Sequence, residues 1–223
     1  MSFSKSLGII LSMPKTILFN LRAFPLSIAV KLPVLVYYKV RIVNIHKGII
    51  VFPNGVKTFM VRMGYGGSKS VIEHDHSIIN LRKGHVRFEG IAGFAAGFSL
   101  DCCGELSFGK EFSCNRNAFI SCSKEVRFGE KVMFGDNVTV RDSDGHTVYV
   151  NGEPKVSQRP IVIGNHVWIA SHAHVLKGST VANGSIVAYR ALVTRKFSEE
   201  NALIVGNPAE VKQTGISWGR FIQ

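Results

Sequence analysis

Apolar residues recur along the C-terminal half of the chain with a period of six. From Ile163 an aliphatic side chain stands at every sixth position, through Ile169, Val175, Val181, Val187 and Val193. Four places after each come Val167, Ala173, Ser179, Ser185, Ala191 and Phe197, mostly small. The residue directly after the aliphatic one is usually small too, as at Gly164, Ala170, Ala182 and Ala188. Two shorter blocks carry the same period upstream: Phe108, Cys114 and Ile120, then Phe128, Phe134 and Val140. A weaker start is visible at Phe88, Phe94 and Leu100, and the step from Phe108 to Phe128 is three hexads plus two extra positions.

A helix repeats near 3.6 residues and a half-buried strand near 2, so neither explains this spacing. One short strand and one turn per hexad does. Three hexads then close one coil of a three-sided prism, and successive coils stack about 4.8 Å apart with their hydrogen bonds running along its length. The small residue at the second position of each hexad is expected to let the backbone turn the corner. Between Val140 and Ile161 the period stops, and the stretch RDSDGHTVYVNGEPKVSQRP carries polar residues, two glycines and two prolines. It reads as an excursion loop at 141–160, and long loops on rigid scaffolds are where function concentrates.

Residues 1–45 carry no hexads. The apolar stretch from Leu7 to Val36, spaced by Lys15, Arg22 and Lys31, predicts two or three short helices broken at Pro14, Pro25 and Pro33. Such helices would cap the open edge of the first coil, as the end of a repeat stack requires, and the same segment suits a membrane interface. No run reaches the roughly 20 apolar residues needed to span a bilayer, and no cleavable signal peptide is evident. The organisation read from the chain is therefore a basic, apolar helical cap at 1–45, a prism over 46–208 and a short C-terminal element at 209–223. After Val193 the segment SEENALIVGNPAEVK is read as leaving the prism.

Composition adds a direction. A hydrophobic content of 46% with 19% charged residues describes an ordered globular chain. The net charge of +12 is uneven: the stretch from Met1 to Ile72 holds ten Lys/Arg and no acid, whereas beyond it the other basic residues are nearly balanced by all 15 acids. That bias suits an anionic partner, such as a membrane face, an acidic saccharide or a phosphate-bearing cofactor. No nucleic-acid partner is expected, because finger and helix-turn-helix signatures are missing. The four cysteines form no CxxC or zinc-type spacing, which points to a reducing, cytoplasmic setting.

The segment from Thr139 to Lys212 carries, in order, D-x-D-x-H (Asp142, Asp144, His146), I-G-x-x-V-W-I-A (Ile163 to Ala170), V-T-R-K (Val193 to Lys196) and G-N-P-A (Gly206 to Ala209). This combination resembles the C-terminal half of the hexapeptide-repeat acyltransferases. The likeness is to the bacterial capsule, exopolysaccharide and lipopolysaccharide O-acetyltransferases in particular, and to the galactoside and maltose acetyltransferases. It spans about residues 106–211. The resemblance implies a mainly β fold, a left-handed parallel β-helix, assembled as a homotrimer. It also implies acetyl-CoA as cosubstrate, no metal, and a sugar hydroxyl of a surface polysaccharide or its precursor as acceptor.

His146 occupies the place of that family's catalytic base. The chemistry fits, since a sugar hydroxyl needs a proton acceptor that titrates near neutrality. Asp142 or Asp144 would orient the imidazole or bind the acceptor, Asn137 would touch the acceptor, and Trp168 matches an aromatic wall of the substrate tunnel. Ala170, Ser171, Ala188, Arg190, Thr194 and Arg195 correspond to positions along the pantetheine arm and phosphates, with a backbone N–H near Ser171 facing the oxyanion. Tyr189 and Arg190 stand where relatives have small residues. Acetylation of an amino group on a nucleotide-linked sugar is the near alternative. A metal hydratase of the same fold, or a binding scaffold, is the distant one. For the hydratase, His166, His172 and His174 are spaced by six and two rather than the five that resemblance would require.

Overall fold

The structure, a computed structural model, describes residues 3–72 and 76–220. After a helix α1 (Phe3–Ala23) and a short α2 (Leu26–Ala29), the chain winds into seven three-strand coils. The first is β1 (Val34–Val36), β2 (Val40–Asn44) and β3 (Ile50–Val51); the second is β4 (Val61–Met63), β5 (Ser77–Leu81) and β6 (His85–Phe88). The third is β7 (Ala92–Phe94), β8 (Ser99–Cys102) and β9 (Glu105–Phe108); the fourth is β10 (Phe112–Cys114), β11 (Phe119–Cys122) and β12 (Glu125–Phe128). In the fifth, β13 (Met133–Phe134) and β14 (Thr139–Arg141) are separated from β17 (Ile161–Ile163) by a hairpin of β15 (Tyr149–Val150) and β16 (Glu153–Pro154). The sixth is β18 (Trp168–Ile169), β19 (His174–Leu176) and β20 (Thr180–Val181); the seventh is β21 (Ile186–Val187), β22 (Leu192–Val193) and β23 (Lys196–Phe197). The chain ends with β24 (Leu203–Val205) and β25 (Glu210–Gln213).

The first strands of the coils stack in parallel as face one, the second as face two and the third as face three. This is the parallel β-helix that the hexads imply, and its left hand is the one that the family resemblance implies. Its inward column on face three runs Phe88, Phe108, Phe128, Ile163, Val181 and Phe197, paired strand to strand. The rings of Phe88, Phe108 and Phe128 stack with centroids 5.0 and 5.3 Å apart.

The stacked run of phenylalanines belongs to the wider coils. Partners there are separated by three hexads plus two positions, as Phe94 is from Cys114, against three bare hexads for Ile169 and Val187. The two extra residues sit at the corner between faces two and three, as Cys103-Gly104 and Ser123-Lys124, and create an additional inward position. Leu81, Cys102, Cys122 and Asp142 fill that position in successive coils, all buried. Burial pushes the Cys114 thiol up to about 12. A hydrogen bond with Cys102, and then burial, raises Cys122. These thiols are small core residues.

The glycines after the core aliphatics have a different cause from the one expected. Gly109, Gly129 and Gly164 are not in the left-handed region; that role falls to Glu111, Lys131 and His166 two residues on, at φ 61, 57 and 53. Close approach of the next coil is what excludes a side chain. A Cβ on Gly129 would lie 2.5 Å from Asn165 Oδ1 and 2.6 Å from the Gly164 carbonyl carbon.

Two boundaries differ from the sequence reading. The prism begins at Val34, inside the segment assigned to the cap, because insertions at 52–60 and 64–76 hide the period of the first two coils. It also continues past Phe197: Ala202 and Ile204 are fully buried and β24 pairs with β21. The polar insertion at 198–201 only widens one corner. The C-terminal element described here is 209–220, residues 221–223 lying outside the described set.

Helix α1 runs through Pro14 rather than breaking there. Side chains on both sides of Pro14 hold it to the first coil. Ser12 accepts from Tyr38 N at 3.0 Å, while Thr16 accepts from Val36 N and donates to Val36 O. Asn20 likewise accepts from Val34 N and donates to Val34 O. Lys15 donates to the carbonyls of Tyr38 and Val40, and partial burial lowers its pKa below that of an ordinary lysine. The helix thus terminates the open edge of β1 with a polar stripe.

Candidate active site

The excursion of the fifth coil leaves from the corner between faces two and three. Its tip is Asn151-Gly152, both at positive φ (52 and 83), the geometry of a tight hairpin turn. Its base is closed by a bridge between Ser143 and Gln158 and by Asp144 N donating to Ser157 O. Val148, Tyr149, Val150 and Val156 are exposed on the arm.

Asp142 opens this excursion, and its carboxylate faces inward. One coil below, the corner amides of Cys103, Gly104 and Glu105 donate to the backbone carbonyls of Cys122 and Lys124. The matching amides of Ser123, Lys124 and Glu125 have no such carbonyls above them, because the chain departs into the arm. The Asp142 oxygens accept all three instead, each at 2.7 Å. Fully buried and saturated in this way, Asp142 braces the corner; the geometry does not offer it to an acceptor or to the His146 ring.

Asp144 pairs with Lys177, which also donates to Val156 O at 2.8 Å, so this carboxylate ties the arm to the sixth coil. His146 follows on the exposed side of the arm, and no hydrogen bond engages its ring among the described residues. The next residue, Thr147, lines an open groove together with Ser123, Lys124, Lys155 and Val156. Arg141 passes beneath the arm, with its guanidinium against Gly145, and Gly145 takes a φ of 80, which explains the glycine in D-G-H. Arg141 Nε is buried without a hydrogen-bond partner. Nothing in the motif pattern pointed to this cation, since its burial depends on the arm folding over it.

Five of the remaining expected residues, Asn137, Ala170, Ser171, Ala188 and Arg190, gather at the opposite edge of face two, the corner between faces one and two. Asn137, His172 and Arg190 share the left-handed position of successive coils, at φ 57, 63 and 59. Asn137 accepts from Asn117 Nδ2 at 3.2 Å, an interaction between corners. The residues just before them form a capping series. Arg116 N donates to Asp136 Oδ1 at 3.3 Å, and Asp136 N donates to Ser171 Oγ at 3.0 Å. Tyr189 comes next in that column, and a phenol ring replaces the short acceptor. Among the described hydrogen bonds none uses the Ser171 amide, so an N–H is left open at this corner, between Ala170 and Ala188 in neighbouring positions.

Arg190 lies over the Tyr189 ring at 5.3 Å. Thr194 and Arg195 are exposed at the other corner, with Arg195 over Phe197 at 5.1 Å. Trp168 stands on face one and is approached by Trp218 of the C-terminal segment, centroids 6.1 Å apart. Trp218 itself stacks on His166 at 4.1 Å, donates to His166 O and accepts from its ring. The sequence reading missed this contact, whose signal was a lone tryptophan in a polar tail. His146, His166, His172 and His174 lie on four different parts of the prism, and no cluster of three metal-ligating side chains occurs among the described residues.

Within one chain, then, His146, Arg195 and Thr194 flank one edge of face two, and Asn137, Ser171 and Arg190 flank the other. No protein-family model matches the sequence, and no curated protein does. Among solved structures, the polySia-specific acetyltransferase NeuO is 21% identical over 82% of this chain and 83% of its own, with a TM-score of 0.51. The fold is that of the hexapeptide-repeat acetyltransferases. Also similar are the hexapeptide-repeat acetyltransferase VCA0836 from Vibrio cholerae (19%, 59% and 72% covered, TM-score 0.41) and the N-acyltransferase AntD from Bacillus cereus (12%, 81% and 80% covered, TM-score 0.44). With identities this low, the hexapeptide-repeat likeness is one of architecture, and chemistry has to be argued from the side chains.

Proposed function

We propose that the protein transfers an acetyl group from acetyl-CoA to a sugar hydroxyl of a surface polysaccharide or its precursor, in a ternary complex without a covalent enzyme intermediate. The observation that carries this reading is His146: an unengaged imidazole on an arm that Asp142 and the Asp144–Lys177 pair hold in place beside a groove. Lys124 and Lys155 line that groove, and Arg141 lies under the arm, so the acceptor side favours an acidic saccharide.

In this reaction His146 takes the hydroxyl proton as the oxygen attacks the thioester carbonyl. The open Ser171 N–H receives the developing oxyanion, a contribution of about 2.7–4 kcal/mol when such a donor is well placed. Collapse breaks the carbon–sulfur bond, and the leaving thiolate recovers the proton from the imidazolium. Arg190 and Arg195 are the cations suited to the coenzyme phosphates, while Ala170 and Ala188 leave room for the pantetheine chain.

Because His146 and Ser171 lie on opposite edges of face two, one prism does not bring them together. A homotrimer in which the arm of one protomer reaches the corner of its neighbour would do so, and the exposed Val148, Tyr149 and Val150 suit that contact. The reaction is placed in the cytoplasm, at the inner membrane face where lipid-linked saccharides are built. N-acetylation of an amino sugar uses the same base and donor.

The test is release of coenzyme A thiol from acetyl-CoA against a panel of neutral and acidic glycans and nucleotide-linked amino sugars. Stimulation by an acidic glycan supports the proposal, and stimulation only by amines turns it to N-transfer. No binding of coenzyme A by calorimetry overturns it.

A further inference from the structure

Helix α1 is amphipathic in the reverse of the usual sense. Its inward side carries Gly8, Ser12, Thr16 and Asn20, spaced by four, with Phe19 and Ala23 buried in the core beside them; Ser12, Thr16 and Asn20 are fully buried polar residues committed to the first coil. The opposite side is therefore apolar and faces outward. Leu7, Ile10, Leu11, Ile17, Leu18 and Leu21 form one stripe at i, i+3, i+4 and i+7 spacing, each between 43% and 64% exposed. Leu26 and Val30 extend it beyond the helix end, both 67% exposed. An unpartnered apolar face of this length on a globular domain marks an interaction surface.

Charge selects the occupant. From Met1 to Ile72 the chain carries ten Lys/Arg and no Asp or Glu, and Arg22 and Lys31 are exposed beside the stripe. A second copy meeting this face would bring the same uncompensated positive charge. An anionic bilayer surface would complement it. No described helix is long and apolar enough to cross a membrane, so the helix would lie along the interface.

We infer that the outer face of α1, continued by Leu26 and Val30, is a docking surface for anionic lipid. The polar side of the helix caps the prism while the apolar side enters the headgroup region. The inference is independent of the acetyl-transfer chemistry and supplies the contact by which the chain would reach a membrane-bound acceptor.

The full chain is to be sedimented with vesicles of phosphatidylcholine alone or mixed with phosphatidylglycerol. The wild type is expected to bind the mixed vesicles, and Leu11→Glu/Leu18→Glu at least about tenfold less. Arg22→Glu/Lys31→Glu is expected to lose the preference for anionic lipid. All three proteins should melt alike, since none of these side chains is buried. Wild-type protein that stays in the supernatant with both vesicle types overturns the inference. So does a drop in oligomeric mass in Leu11→Glu/Leu18→Glu, which would mean that the stripe meets another copy.

Discussion

Replacing Asp142 with asparagine tests whether this carboxylate is a corner brace or an acceptor ligand. In the native corner, Oδ1 accepts from Ser123 N and Oδ2 accepts from both Lys124 N and Glu125 N, all at 2.7 Å. An asparagine keeps the two bonds by placing its oxygen at the Oδ2 position, but its NH2 group then faces the Ser123 N–H. One charge-assisted bond, worth about 1.5–3 kcal/mol, is lost, and a buried donor is left facing another donor. The expected destabilisation is about 3 kcal/mol, or about 6–12 °C in Tm for a chain of this size. Asp142→Ala, which orphans three amides, should lose more. Thermal melting followed by circular dichroism reads the first effect. The acceptor KM, measured well below the transition, should stay that of the wild type. An unchanged Tm with a raised acceptor KM would refute the brace and restore Asp142 to the substrate.

Three further outcomes follow from the same geometry. Thr16→Val should destabilise by about 1–3 kcal/mol, since it orphans the Val36 N–H and C=O; a rise in Tm by calorimetry would show that α1 is held by apolar burial instead. Gly129→Ala should lower the denaturant midpoint, by about 1–3 kcal/mol, because its Cβ would press on Asn165 and the Gly164 carbonyl. An unchanged or higher midpoint would mean that the next coil can yield. Gly152→Val forces a branched residue to a φ of 83, at a cost of about 1–2 kcal/mol. It should slow acetyl transfer while leaving the main melting transition in place, and unaltered turnover would detach the arm from the reaction.

What the sequence made legible was the part of the prism where each coil is a clean set of hexads. From Ile163 to Val193 every aliphatic named from the period is a buried core residue. The first two coils were hidden because long insertions at their corners break the period, although Val34, Val36 and Val40 are as buried as any later position. The polarity of α1 was legible in principle, as the Gly8, Ser12, Thr16, Asn20 stripe, yet an apolar helix is normally expected to bury its apolar side. Only the open edge of β1, which needs hydrogen-bond partners more than it needs hydrocarbon, reverses that choice.

At the candidate site the motif located the arm and its histidine but misread the acids around it. An aspartate beside a histidine looks like a positioning partner. Here one aspartate takes three amides that two missing carbonyls would otherwise satisfy, and the other holds Lys177. The open amide of Ser171 could not be read from its own neighbourhood, since it results from Tyr189, three hexads on, standing one coil above. Registers across coils decide these roles.

The most direct test of the account is the rate of acetyl-CoA-dependent acetylation by His146→Ala beside the wild type, with a glycan that the native protein accepts. The account predicts a loss of about 100- to 10,000-fold, with Tm and oligomeric mass unchanged. Wild-type turnover in that variant would contradict it.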